Sequence, residues 1–155
     1  MIRKVATPPE SSPELCVIRL GFQVRKWTAL PYARGLAKAI DRAAGEAISA
    51  NVGLYRSERF AFGLRHFGVL QYWRSFDDLE QWSRRPPHSE WWRGAVERMR
   101  TKADFGVYHE TFVVPRTSIE TIYLNCEPVG ISAFGTLGDP VGPMTTSRDR
   151  LGRRP

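Results

Sequence analysis

Between Leu15 and Pro115 the apolar pattern of this chain changes period in a fixed order, and that order limits the fold more than any single motif. LCVIRLGFQV (15–24) is rich in β-branched and aromatic residues and reads as a buried first strand. In YARGLAKAIDRAAGEAIS (32–49), Leu36, Ala37, Ile40, Ala43, Ala44, Ala47 and Ile48 recur at helical spacing, with Pro31 just ahead of the first turn. GLYRSERFAFG (53–63) and RHFGVLQYWR (65–74) then form two strand-like runs joined tightly around Gly63. Ser75 is an N-cap candidate with Asp78 three residues on, and Phe76, Leu79 and Trp82 share one face of the helix it opens. Pro86 and Pro87 stop that helix, HSEWWRGAVERMRTK (88–102) resumes helical spacing, and FGVYHETFVVP (105–115) is a last strong strand. The following SIETIYLNCEPVGISAFG reads as a short strand and an irregular arm.

The order β-α-β-β-α-β is the ferredoxin-like pattern of an α+β domain. Its sheet carries helices on one face only, and no internal repeat supplies a cover for the other. A second copy of the chain, packed sheet to sheet about a two-fold axis, is the expected cover, so a homodimer is expected.

A length of 155 residues suits one domain, since a single core serves about 100–200 residues. With 42% hydrophobic and 25% charged residues, the composition is that of an ordinary globular protein. The expected organisation is a Pro/Ser-rich, frayed segment at 1–14, the α+β domain at 15–134, and a basic, flexible tail at 135–155. No run approaches the roughly 20 apolar residues of a membrane span, and no apolar core follows the basic pair Arg3 and Lys4. The expectation is a cytoplasmic protein without a membrane partner. Cys16 and Cys126 lie in apolar, strand-like runs and are expected to pack in the core as free thiols. The formal net charge is +7, part of it in Arg148, Arg150, Arg153 and Arg154 against Asp149. No helix-turn-helix, zinc-finger spacing or aromatic RNA-binding strand accompanies it, so no nucleic-acid partner is expected.

The chemistry-bearing residues are few. There is no glycine-rich phosphate loop, no Gly-x-Ser-x-Gly elbow and no zinc-ligand spacing, and His109 and Glu110, being adjacent on a strand, point to opposite faces. Of the three histidines, His66 reads as structural. His88 opens the helix after the proline pair, and His109 lies mid-strand on the face shared by Val107, Thr111 and Val113. A helix packed over that sheet face lets the two histidines look at each other across a flat gap that suits a planar cofactor. Neutral imidazole is both an iron ligand and the natural acid/base group near pH 7. The plainer alternatives are an exposed first-turn residue for His88 and a hydrogen-bonded sheet residue for His109. Likewise Trp73, Trp82, Trp91 and Trp92 serve either as core and dimer anchors or as cofactor stackers, and Arg65, Arg74 and Arg93 are candidate partners for propionates or an acidic substrate.

Taken in order, QYWRSFDDLEQW, HSEW, GVYHETFVVP and IETIYLNCEPVGISAF resemble the DUF4188 family of small monooxygenase-like proteins, of the dimeric α+β barrel superfamily, over residues 17–134. The same stretch is similar, more distantly, to the C-terminal part of haem-containing aldoxime dehydratases. That resemblance implies haem b as cofactor, with His88 as the metal ligand on iron and His109 as the distal catalytic acid/base group. Trp92 and Arg93, on the helix of His88, are then the other cofactor-binding candidates. The implied function is an aldoxime dehydratase-like or monooxygenase-like enzyme acting on a small molecule with an N–O or O–O bond. Two alternatives stay open: a cofactor-free monooxygenase of the antibiotic-biosynthesis type that oxidises an aromatic substrate, and a non-enzymatic dimer that binds a small ligand.

Overall fold

The computed structural model describes residues 2–11, 13–140 and 146–152. Its main sheet has four antiparallel strands: β2 (Glu14–Val24), β3 (Leu54–Gly63), β4 (His66–Trp73) and β5 (Phe105–Pro115), in the order β3-β4-β2-β5. Helices α1 (Leu30–Ser49), α2 (Phe76–Ser83) and α3 (His88–Lys102) cover one face. This is the ferredoxin-like α+β arrangement that the order of periodicities predicts.

The local signals act as read. Ser75 caps α2, its Oγ accepting from the backbone N–H of Asp78 at 3.1 Å. Arg74 donates to both carboxylate oxygens of Asp78 at 2.8 Å, and this pairing holds the Asp78 carboxyl below the usual carboxylate range. Gly53, at φ +101°, closes the turn from α1 into β3, where a Cβ would collide with the Asp78 side chain.

Strand alternation on the helix-facing side builds two cores. Phe22, Val69 and Phe105 of the sheet meet Ala33 and Ile40 of α1 and Ala95 of α3. Cys16, Leu54 and Trp73 meet Ala44, Ala47 and Leu79. Trp73 and Cys16 are fully buried. Truncating Trp73 would cost roughly 3–5 kcal/mol by the usual measure for a large buried aromatic.

The termini differ from expectation. Residues Arg3–Thr7, within the segment read as frayed, form β1, the middle strand of a second antiparallel sheet. Its neighbours are β6 (Tyr123–Leu124) and β7 (Thr136–Gly138), the latter lying in the segment read as a flexible tail. Neither flank looks strand-like alone; β1 acquires backbone partners in both β6 and β7, β7 acquires its own in β1, and the Ala6 backbone N–H and C=O also bond the Thr121 hydroxyl, both at 2.7 Å. Ala6, Leu15 and Ile131 make a third small core with Val17, Tyr72 and Phe134, on the main sheet's far side. A short helix, α4 (Ser147–Arg150), follows, with Arg150 ion-paired to Glu120. Of the basic tail, Arg153 and Arg154 lie outside the described residues. No helix among the described residues is long and apolar enough to cross a membrane.

The second sheet leaves part of the far face open. There Arg19 lies over the rings of Phe60, Phe62 and Tyr108, 5.2–5.5 Å from their centroids, and His66 Nε2 meets Tyr108 Oη at 2.9 Å. Phe62 and Phe112 are more than half exposed. The four tryptophans read as candidate dimer anchors are absent from this face: Trp73 is in the helix-side core, and Trp82, Trp91 and Trp92 are on α2 and α3.

Cys126 departs from its expected burial. It follows β6 at the surface, and its Sγ donates to the Leu124 carbonyl at 3.3 Å. Burial, aided by Glu14, pushes the Cys16 thiol up to about 11. A thiol–disulfide reagent at pH 8 should therefore titrate one cysteine quickly in the folded protein and the second only after denaturation; two fast thiols would contradict the burial of Cys16.

Candidate functional site

Between the two helix-side cores the packing opens into a cavity of about 470 Å³. Its floor is the sheet, with Ile18 and Leu20 in the centre, Gln71 on the β4 side, and His109 and Thr111 on the β5 side. Its roof is helical: Ile40 from α1, Phe76, Leu79 and Trp82 from α2, and His88 and Trp92 from α3. A larger groove of about 900 Å³ runs between α1 and the edge strand β3, but it holds no histidine and its carboxylate, Asp41, is paired with Arg59 at 3.2 Å.

His88 owes its position to the proline pair. In a continuing helix the Ser83 carbonyl would accept from the N–H of residue 87, but Pro87 has none. The freed carbonyl is taken by His88 Nδ1 at 2.9 Å. The donor to a carbonyl oxygen must be N–H, so Nδ1 carries the proton and Nε2 is the lone-pair nitrogen of the neutral ring. Nε2 has no hydrogen-bond partner among the described residues and is not sealed from solvent. Trp82 and Trp91 flank the imidazole with ring centroids 5.0 and 6.4 Å away. Burial holds the pKa of His88 below 6.5, His109 adds to that shift, and the Ser83 bond only partly offsets it. The positive end of the α3 dipole acts in the same sense.

His109 stands at the more open end of the cavity, its ring 6.1 Å from that of Trp92 and free of hydrogen bonds to the described residues. The structure thus brings His88, Trp92 and His109 to one cavity. Arg93 is not with them: it is exposed on the adjoining surface with Glu90, Glu97 and Arg100. Its helical phase explains this, because five residues beyond His88 is about 140° round the helix, whereas Trp92 at four residues is only about 40° away. Arg65 stacks on Trp27 and Arg74 is paired with Asp78, both away from the cavity.

Sequence reading missed Gln71, Thr111, Ser89 and Arg84, which also line the cavity. For Gln71 and Thr111 the signal was present, since each is a polar residue at an inward position of an alternating strand. Arg84 and Ser89 lie at the α2–α3 break, where no period assigns a face.

Among the described residues, no three His, Cys, Asp or Glu side chains cluster to hold a bare metal ion. What the cavity offers is one neutral imidazole of fixed tautomer, its second nitrogen bonded to a backbone carbonyl. An imidazole held in this way keeps one nitrogen lone pair available to a metal centre carried by another scaffold.

Solved structures share this architecture. An aldoxime dehydratase, OxdRE, in complex with butyraldoxime is similar over 96% of this chain and 42% of its own, with a TM-score of 0.66 and 18% identity. A second aldoxime dehydratase matches over 88% of this chain and 45% of its own, at a TM-score of 0.64 and 16% identity. A conserved protein from Bacteroides thetaiotaomicron matches over 66% of this chain and 99% of its own, at 0.51 and 12%. At these identities the likeness shows the fold, and this chain spans less than half the length of either aldoxime dehydratase. No curated protein gives a significant match. Residues 15–131, from the first strand of the main sheet to the Ile131 core contact, match the family described as monooxygenase af470-like, and the chain belongs to that family.

Proposed function

We propose that this protein is a haem-binding enzyme acting on a small molecule, in which His88 Nε2 would hold the iron of haem b and His109 would act as the acid/base group on the opposite wall. The observation that carries the reading is His88 itself: a half-buried imidazole, neutral by environment, with Nδ1–H fixed on Ser83 and Nε2 left open. The motif resemblance to haem-containing aldoxime dehydratases supports it. Haem bound there supplies an iron centre at which an N–O or O–O group can be held and polarised.

His109 is placed to hold or deliver a proton. It projects from the sheet, has no competing hydrogen-bond partner among the described residues, and faces the helix that carries His88. Protonating the departing oxygen of a substrate is the natural task for such a group. Trp82 and Trp91 flank the His88 ring and restrict the orientations it can take. Arg84, exposed and paired with Glu80 at 2.7 Å, replaces Arg93 as the cation available to a propionate.

A second reading has its own observation. Phe76, Trp82 and Trp92 form an aromatic wall over the apolar floor of Ile18 and Leu20, which suits an electron-rich aromatic oxidised without a cofactor. His88 is then dispensable for ligand binding.

The open sheet face is proposed to be covered by a second copy of this chain. Its exposed aromatic residues around the Arg19 cluster are the kind of surface a soluble domain keeps for a partner.

Three measurements check these readings. Hemin titration should give a sharp Soret band saturating at one haem per chain, and His88→Ala should lose it; full occupancy in the variant would exclude His88 as ligand and favour the cofactor-free reading. Hemin affinity should also hold steady as pH falls to 6.5 and decline only below it, because proton and iron compete for Nε2 and burial disfavours the protonated ring. A decline that is already under way above pH 6.5 would contradict this environment. Finally, light scattering should find a dimer, and Phe112→Lys, at an exposed position of the open face, should shift it to monomer; an unchanged mass would place the interface elsewhere.

A further inference from the structure

Gln71 is one of the few buried polar side chains among the described residues, only 4% exposed, and it lies at the cavity floor rather than at a turn or cap. A buried amide needs partners, because leaving a donor or acceptor unmatched is unfavourable. Its acceptor side is settled. Trp73 Nε1, fully buried on the same strand, donates to Gln71 Oε1 at 3.2 Å, and indole N–H is a donor only, so the amide cannot be flipped.

The donor side is not filled. The amide nitrogen carries two N–H groups, and its one partner among the described residues is Ser57 Oγ at 3.4 Å, longer than a good hydrogen bond. On the neighbouring strand the residue opposite is Ile18, which accepts nothing. Gln71 therefore offers donor capacity that no described residue takes up beyond the long Ser57 contact. His109 and Thr111 bound the same floor from β5, beyond the apolar strip of Ile18 and Leu20.

We propose that Gln71 determines specificity by donating a hydrogen bond to a neutral acceptor atom on the bound molecule, a carbonyl, oxime or N–O group, at the β4 side of the floor. The ligand class that follows is an apolar or aromatic body with an acceptor at the Gln71 end, its other end lying toward His109. The inference rests on reading this cavity as the substrate site; it does not depend on haem.

The test uses two probes of nearly the same shape, acetophenone and α-methylstyrene, which differ in a carbonyl oxygen against a methylene. Trp82 and Trp92 line the cavity, so quenching of tryptophan fluorescence reports both dissociation constants, on the protein as purified and after hemin loading. Gln71→Met should shift the ratio of the two constants against acetophenone by roughly 3- to 10-fold, the range for one net hydrogen bond, with α-methylstyrene binding little changed. Should that variant fail to fold with Trp73 unpartnered, Gln71→Glu at pH 8 keeps an acceptor for the indole, removes the amide donors and should shift the ratio the same way. An unchanged ratio, equal weakening of both probes, or no binding of either by the wild type would overturn the proposal. If hemin fails to bind while the ratio shifts, the haem assignment falls and Gln71 stands; if hemin binds through His88 while the ratio stays fixed, the reverse holds.

Discussion

The alternation of β2 is the constraint on which the rest depends. This strand lies between β4 and β5, so its two sides are read by the whole sheet. Cys16, Ile18, Leu20 and Phe22 face the helices, while Leu15, Val17, Arg19 and Gly21 face away. A slip of one residue would exchange the two sets and bury Arg19 under α1. In the observed register, Cys16 and Phe22 are sealed in separate cores, and Ile18 and Leu20 between them are only half-buried because the cavity stands above them. The site is thus the gap between two cores on one strand. On the reverse side the same strand gives Leu15 and Val17 to the small second sheet and leaves Arg19 and Gly21 on the open part.

What could be read from the sequence tracks how local its cause is. The long elements follow from periodicity within themselves, and β5 begins and ends where its apolar run does. The pairing of β1 with β6 and β7 joins segments more than a hundred residues apart; a short strand at β6 shows in its own run of residues, whereas β1 and β7 do not declare themselves. Cys126 misled for the same reason: the strand it seemed to extend, β6, is two residues long and stops before it. The site was legible where residues sit on regular elements. His109 shares a face with Val107 and Thr111, and Trp92 shares the helical face of His88. Arg93 carries the charge a propionate needs, but its helical phase turns it away from the cavity, whereas Gln71, a polar residue between Val69 and Trp73 at inward positions, marks a place where the core stops being dry.

The break between α2 and α3 links sequence to chemistry most directly. A helix end leaves carbonyls without partners, and they are ordinarily satisfied by water or a cap. Pro86 and Pro87 supply no N–H, so the carbonyls of Trp82 and Ser83 must look elsewhere: Trp82 accepts from Arg85 N–H at 3.2 Å, and Ser83 accepts from the His88 ring. The proline pair therefore does two things at once. It starts a new helix that brings Trp92 and Ala95 over the sheet, and it creates the one acceptor that decides which nitrogen of His88 is protonated. A donor in place of Pro87 would reclaim the Ser83 carbonyl for the backbone and free Nδ1, and the ring could then turn or change tautomer. The neutral, singly oriented imidazole on which the proposed chemistry depends is in this sense a consequence of a missing backbone hydrogen: Pro87, a residue with no functional side chain, fixes the tautomer of one that has it.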